Sequence, residues 1–264
     1  MYKVLKRDGS TMEFDISKIS AAMIKAFEAL EKVYHPSVIN LLAIQVAADF
    51  ESKITERTKA VIVNSPNNPS GVVYSEKTIK ALAEVLKRKS EEYKKVIYLI
   101  ADEPYRELVY DNIEVPFVPK YYDNTIVCYS YSKSLSLPGE RIGYIFVSPK
   151  ISDCGKVYAA VCGAGRALGF VCAPSLLQFV VRDCIDLTSD VSVYKKNRDL
   201  LYNALTDYGY TAAKPDGAFY LFIKSPEPDA NAFCERAKKY DLLLVPSDSF
   251  GFEGYVRISY CVST

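Results

Sequence analysis

Three short apolar runs, each ending in a cluster of polar and turn-forming residues, constrain this chain more than any other feature. Ala60-Val61-Ile62-Val63 runs into SPNNPSG (65–71). VIYLIADE (96–103) ends on two carboxylates, and TIVCYSYS (125–132) leads into KSLSLPGERIGY. IGYIFVS (142–148) supplies a fourth run. Runs of this length, with a polar-faced helix expected over 75–92, predict an α/β sheet covered on both faces. Open α/β sheets bind ligands beyond the carboxyl ends of their strands, where these polar clusters fall.

The flanks have other textures. Tyr2-Lys3-Val4-Leu5, the turn Arg7-Asp8-Gly9 and Thr11-Met12-Glu13-Phe14 predict a hairpin. Asp15 can cap a helix on which Ile19, Met23, Ala26, Phe27 and Leu30 recur at helical spacing. A second amphipathic helix is expected over 36–53. Beyond the sheet, a helix over 175–207, broken near Thr188-Ser189, precedes a turn at 215–217. A strand at 218–224, a helix at 229–240 and strands at 242–246 and 255–260 complete a smaller α+β unit.

Composition narrows the function classes. Lys and Arg total 33 against 32 for Asp and Glu, a net charge of +1, which gives no electrostatic case for nucleic acid or an anionic membrane. The seven cysteines form no CxxC pair and His35 is the only histidine, so no metal site is expected. An odd number of scattered cysteines suits a reducing compartment, where they serve as small core residues. The start, MYKVLKRDGST, lacks the apolar core of a signal peptide, and no segment approaches the roughly 20 apolar residues of a membrane span. A cytoplasmic protein is expected.

The strand ends carry a specific set of groups. Asn68 sits in a backbone stiffened by two prolines. Asp102 follows five apolar residues, so it should be partly buried and in need of a cationic or hydrogen-bonding partner. Tyr105 lies three residues on, Lys133 among Ser130, Ser132 and Ser134, and Arg141 eight positions after the lysine. One ligand accounts for amide, carboxylate, phenol, amine and guanidinium together. Pyridoxal 5'-phosphate offers an aldehyde to a lysine, a ring nitrogen to a carboxylate, a phenolic oxygen to donors and a phosphate to arginine and hydroxyls.

SPNNPSG, IADEPY and SYSKSLSLPGERIGY together resemble the three signature segments of class I/II (fold type I) pyridoxal-phosphate aminotransferases. The resemblance covers about residues 54–264. It implies a large domain of that fold over 54–174, with a mixed, mostly parallel sheet, and a small α+β domain over 175–264. It makes Lys133 the Schiff-base lysine and proton shuttle, and Asp102 the partner of the pyridine nitrogen. Asn68 and Tyr105 would bond the phenolic oxygen, and Ser130, Ser132 and Arg141 would hold the phosphate. Arg257, in GYVRISY, matches the arginine that clamps the substrate carboxylate, where a bidentate fork suits the task. The implied partners are an amino acid, a 2-oxo acid and a second copy in a homodimer. The family's long stretch ahead of SPNNPSG has no counterpart in residues 1–53, so the resemblance is to a truncated aminotransferase.

YKVLKRDGSTMEFDISKISAAMIKAFEAL resembles the start of an ATP-cone, the nucleotide-binding module of ribonucleotide reductases. That makes 1–53 a small α+β segment with a nucleotide as its partner, and Lys6 and Arg7 its phosphate contacts by analogy. Two other readings stay open at this point: C–S elimination on the same scaffold, and a non-catalytic nucleotide-binding or scaffold protein.

Overall fold

The structure, a computed structural model, describes residues 3–5, 11–13 and 48–262. The chain divides into two compact units, residues 1–46 and 47–264. In the first, β1 (Lys3–Leu5) and β2 (Thr11–Glu13) pair antiparallel with Val4 opposite Met12, as the hairpin reading requires. The turn at 7–9, Lys6, Arg7, the helix that Asp15 would cap, His35 and most of the helix expected over 36–53 lie outside the described residues. Residues 48–53 are helical.

The second unit holds a four-stranded sheet in the order β3 (Ala60–Asn64), β4 (Tyr98–Asp102), β5 (Thr125–Ser130), β6 (Gly143–Val147). The first three strands run parallel and β6 is antiparallel to β5, so the sheet is mixed and mostly parallel. Helix α1 (Glu76–Glu92) makes the crossover between β3 and β4. It begins at Ser75, whose side chain accepts a hydrogen bond from the Thr78 amide at 3.1 Å, an N-cap worth about 1 kcal/mol. Its apolar stripe, Ile79, Leu82, Ala83, Val85 and Leu86, packs into one core with Val63, Leu99, Ala101 and Val127 of the strands. Each fully buried aliphatic side chain there contributes roughly 1.5–3 kcal/mol.

The opposite face departs from the expectation of a sheet covered on both sides. Ile62, Ile100 and Ile126 stand in register across it, yet Ile62 is 69% exposed and Ile145, on β6, is 53% exposed. Helix α3 (Cys154–Ala167), which no sequence signal announces, has no buried residue. Helix α2 (Tyr131–Ser134) buries only Ser134, and helix α4 (Ser175–Asp183) only Val181. The cysteines are also not uniformly core residues: Cys234 is buried, while Cys172 and Cys261 are exposed.

Helix α5 (Val191–Asp207) follows the break at 184–190 and is capped by Asp190, which accepts from the Ser192 amide. Then come β7 (Tyr220–Lys224), helix α6 (Ala230–Ala237), β8 (Val245–Pro246) and β9 (Tyr255–Ser259), with an antiparallel sheet in the order β7-β9-β8. The expected strand at 242–246 shrinks to two residues. Only Val245 and Pro246 reach β9, and Leu243 is solvent-exposed. The inward residues Leu221, Ile223 and Val256 form a second core with Ala230 and Cys234. Tyr105, Leu108 and Tyr110, from the segment after β4, belong to that core as well.

Two glycines permit close approach. At Gly71 (φ 71°) a Cβ would lie 2.5 Å from the Pro215 side chain, and Gly71 O accepts from the amides of Asp216 and Gly217, both at 2.9 Å. At Gly143, opposite Ser130, a Cβ would run into the Tyr129 carbonyl oxygen. Gly143→Ala should therefore destabilise the chain by roughly 1–3 kcal/mol, read as a lower urea midpoint with an unchanged slope.

Candidate functional site

Register places the site. Asn64 is the last residue of β3 and stands opposite Asp102, the last of β4. The Asn64 amide nitrogen donates to Asp102 Oδ2 and to the Asp102 carbonyl, both at 3.0 Å. Its Oδ1 accepts from the Asn68 amide at 2.7 Å. Asp102 is half-buried, and burial raises its carboxyl above the usual range while the Asn64 bond draws it back. The partner that the sequence demanded for Asp102 is thus an amide. Asn64 itself was not among the candidates, since an asparagine before a Ser-Pro reads as a turn residue.

Asn68 Oδ1 accepts from Arg257 Nη1 at 2.9 Å. Arg257 stands on β9 opposite Phe222 of β7, and its guanidinium carbon lies 4.5 Å from the Tyr220 ring centroid and 5.0 Å from that of Phe250. Its Nε is buried and makes no hydrogen bond among the described residues. Tyr105 is buried, with its hydroxyl 3.1 Å from that of Tyr220 and its ring edge-on to Phe219 and Tyr220. Burial pushes the Tyr105 phenol well up, and the bond to Tyr220 pushes the same way. Lys133 Nζ lies 5.5 Å from the Phe219 centroid and 5.8 Å from that of Tyr105. Asn68, Asp102, Tyr105, Lys133 and Arg257 are therefore joined through Asn64, Tyr220 and Phe219, none of which the sequence singled out.

The lysine's own backbone is tied down from outside its helix. Ser189, in the break between α4 and α5, donates its hydroxyl toward the Lys133 and Ser134 carbonyls, both at 3.0 Å. Its amide donates to Ser134 O at 2.7 Å. Ser130 caps α2 by accepting from the Ser132 amide, and the two hydroxyls are 2.7 Å apart. Arg141 stands apart from this group. It is exposed at φ 51°, and its Nη1 donates to the Pro138 carbonyl at 2.8 Å.

This donor and acceptor set fits pyridoxal 5'-phosphate. A half-buried carboxylate, a lysine amine near two aromatic rings, a buried phenol and two adjacent hydroxyls answer its ring nitrogen, aldehyde, phenolic oxygen and phosphate, and leave Arg257 for a carboxylate partner.

The comparisons agree with the geometry. Residues 44–264 match the family model for aminotransferase class I and II, and residues 2–64 match that for the ATP cone domain. The chain belongs to the class I and II aminotransferase family, whose members use pyridoxal 5'-phosphate. It is 30% identical over 221 residues to the aspartate aminotransferase of Thermotoga maritima, covering 81% of this chain and 55% of the relative. It is 31% identical over 218 residues to the aspartate/prephenate aminotransferase of Thermus thermophilus, covering 80% and 54%. Among solved structures, an amino transferase of Eubacterium rectale is 62% identical with a TM-score of 0.79, covering 82% of this chain and 54% of that one. The chain thus spans about half the length of the relatives it matches.

Glu103, beside Asp102, is 3% exposed and lies 3.3 Å from Arg106. Burial raises its carboxyl from 4.5 to about 7, against the pull of Arg106. The folded chain thus holds this proton more tightly than the unfolded chain, so stability falls as pH rises from 4.5 to about 7. Glu103→Gln should flatten that fall. Relative to the parent, the variant should gain on the order of 2 kcal/mol between pH 5 and pH 8 in urea titrations.

Proposed function

We propose that this chain carries an aminotransferase site that moves an amino group between an amino acid and a 2-oxo acid with pyridoxal 5'-phosphate. The observation that carries the reading is Arg257. Its Nε is buried and makes no hydrogen bond among the described residues, yet its Nη1 is fixed on Asn68, whose neighbour Asn64 holds Asp102. A half-buried guanidinium with donors still to be satisfied is suited to a carboxylate.

The cofactor supplies a carbonyl carbon for the amino group and an electron sink for the adjacent bond. The chain's residues would do the rest. Asp102, oriented by Asn64, would pair with the ring nitrogen. Asn68 and Tyr105 would donate to the phenolic oxygen. Ser130 and Ser132 would take the phosphate together with Arg141, which must first exchange its bond to the Pro138 carbonyl. Lys133 would take the proton from the substrate Cα and return it. Arg257 would grip the substrate carboxylate through its fork. On this reading residues 54–174 hold the cofactor and 175–264 bring the substrate clamp.

Reconstitution with pyridoxal 5'-phosphate, borohydride reduction and peptide mass mapping test the reading. A reduced pyridoxyl group on Lys133, absent in Lys133→Ala, is expected; label on other lysines alone sinks it. Arg257→Lys should raise KM for L-aspartate about tenfold or more, because an ammonium cannot reproduce the fork. Products separate the chemistries: a 2-oxo acid with pyridoxamine phosphate supports transamination, whereas ammonia with pyruvate supports elimination.

We propose a second role for the N-terminal segment, binding of a nucleotide, supported by its match to the ATP cone domain. ATP should raise the melting temperature of the full chain, and Lys6→Ala with Arg7→Ala should abolish that rise.

A further inference from the structure

We infer that Tyr220 is a positioning residue that locks the Arg257 guanidinium with its ring and directs the Tyr105 proton with its hydroxyl. The inference rests on the aminotransferase reading and adds to it a link between the substrate clamp and the cofactor side of the site.

Tyr220 lies on the same sheet face as Arg257. It pairs with Ser259 on β9, two residues along from the Phe222–Arg257 pair, so ring and guanidinium are diagonal neighbours. Its backbone is rigid because the next residue, Leu221, is fully buried in the second core. The guanidinium is flanked by Tyr220 and, less closely, by Phe250. This matters because Arg257 has few directional restraints. One Nη1 bond to Asn68 lets the planar group pivot, and Nε adds none among the described residues. Flanking rings remove that pivot and leave the fork aimed without consuming its donors.

The hydroxyl has a separate task. Two phenols 3.1 Å apart share one hydrogen bond, so one proton of the pair remains free to donate elsewhere. When Tyr220 donates to Tyr105, the Tyr105 proton is the free one and can be given to an acceptor in the site. Tyr220 also buries its ring against Tyr105 and Phe219, at centroid distances of 5.8 and 4.9 Å, which holds the two hydroxyls in reach of each other. One side chain therefore orients a donor at each end of the site.

The two tasks separate by substitution. Tyr220→Phe keeps the ring and loses the hydroxyl; Tyr220→Leu loses both. The first readout needs no cofactor: the Arg257 Nε–H resonance in arginine-selective NMR of the full chain, assigned by its disappearance in Arg257→Lys. Tyr220→Leu should shift that resonance and speed rotation of the guanidinium, and Tyr220→Phe should leave it near its parent position. The second uses the chain loaded with pyridoxal 5'-phosphate. Tyr220→Leu should weaken L-aspartate binding about tenfold, the loss of a partly desolvated cation–ring contact. Tyr220→Phe should instead move the pH at which the visible band changes, with a smaller change in L-aspartate affinity. Circular dichroism confirms that each variant is folded, and Phe250→Leu supplies a second route to the same NMR shift. An Arg257 resonance unmoved in both Tyr220→Leu and Phe250→Leu overturns the ring role. A band that titrates alike in the parent and in Tyr220→Phe overturns the hydroxyl role. Failure of the aminotransferase reading shows differently, as a parent chain with no pyridoxyl label on Lys133, and the NMR readout still decides the ring role.

Discussion

A half-buried carboxylate that is satisfied by an amide is the constraint on which the site depends. Asp102 ends a strand whose interior is apolar, so its charge sits where water is scarce. Asn64 meets it because parallel pairing brings the two strand ends level. The same asparagine then receives the Asn68 amide, and Asn68 receives Arg257. A relay of three side-chain contacts thus runs from the end of the parallel sheet to the antiparallel one. A slip of β3 by one residue would turn Asn64 to the other face and break every step of it.

The relay holds because the backbone around it is joined independently. Gly71 O takes two amides from the turn before β7, and the Asp216 carboxylate accepts from the Val73 amide. Arg198 of α5, buried to 1% exposure, donates to Asp111 and to the Pro215 carbonyl while lying 4.5 Å from the Tyr110 ring centroid. A charge so deep is tolerable only when paired in this way. The segments 71–73, 108–111 and 215–218 thus form one seam, and Tyr105 and Tyr220 sit beside it.

Much of this was legible in the sequence. Apolar runs ending in polar clusters located β3 to β6, and the Ser-Lys-Ser pattern located Lys133. The Thr188-Ser189 break between α4 and α5 was readable because short hydroxyl residues compete with the helix backbone. Other parts had no local signal. Helix α3 follows Asp153, an N-cap residue at φ 55° whose side chain makes no capping bond, and it contains three glycines and no buried stripe. The face on which Ile62 is exposed looks, strand by strand, like a buried one, because Ile62 is apolar whether or not a described residue packs on it. Arg257 was readable as a residue. Its flanking rings, Tyr220 and Phe250, carry no spacing signal and are lost among 21 tyrosines and 12 phenylalanines. Arg141 shows the converse: its spacing from Lys133 is regular, but an exposed turn lets its side chain fold back onto Pro138.

Ser189 gives the break between α4 and α5 a mechanical meaning. The amide and the hydroxyl of this one residue are both directed at the peptide carbonyls of Lys133 and Ser134. A helix of four residues has little stiffness of its own, so the lysine inherits the rigidity of the strap that crosses it. The strap is the chain leading into α5, and α5 carries Arg198. The contacts that hold the lysine's peptide plane thus come from a segment more than fifty residues away.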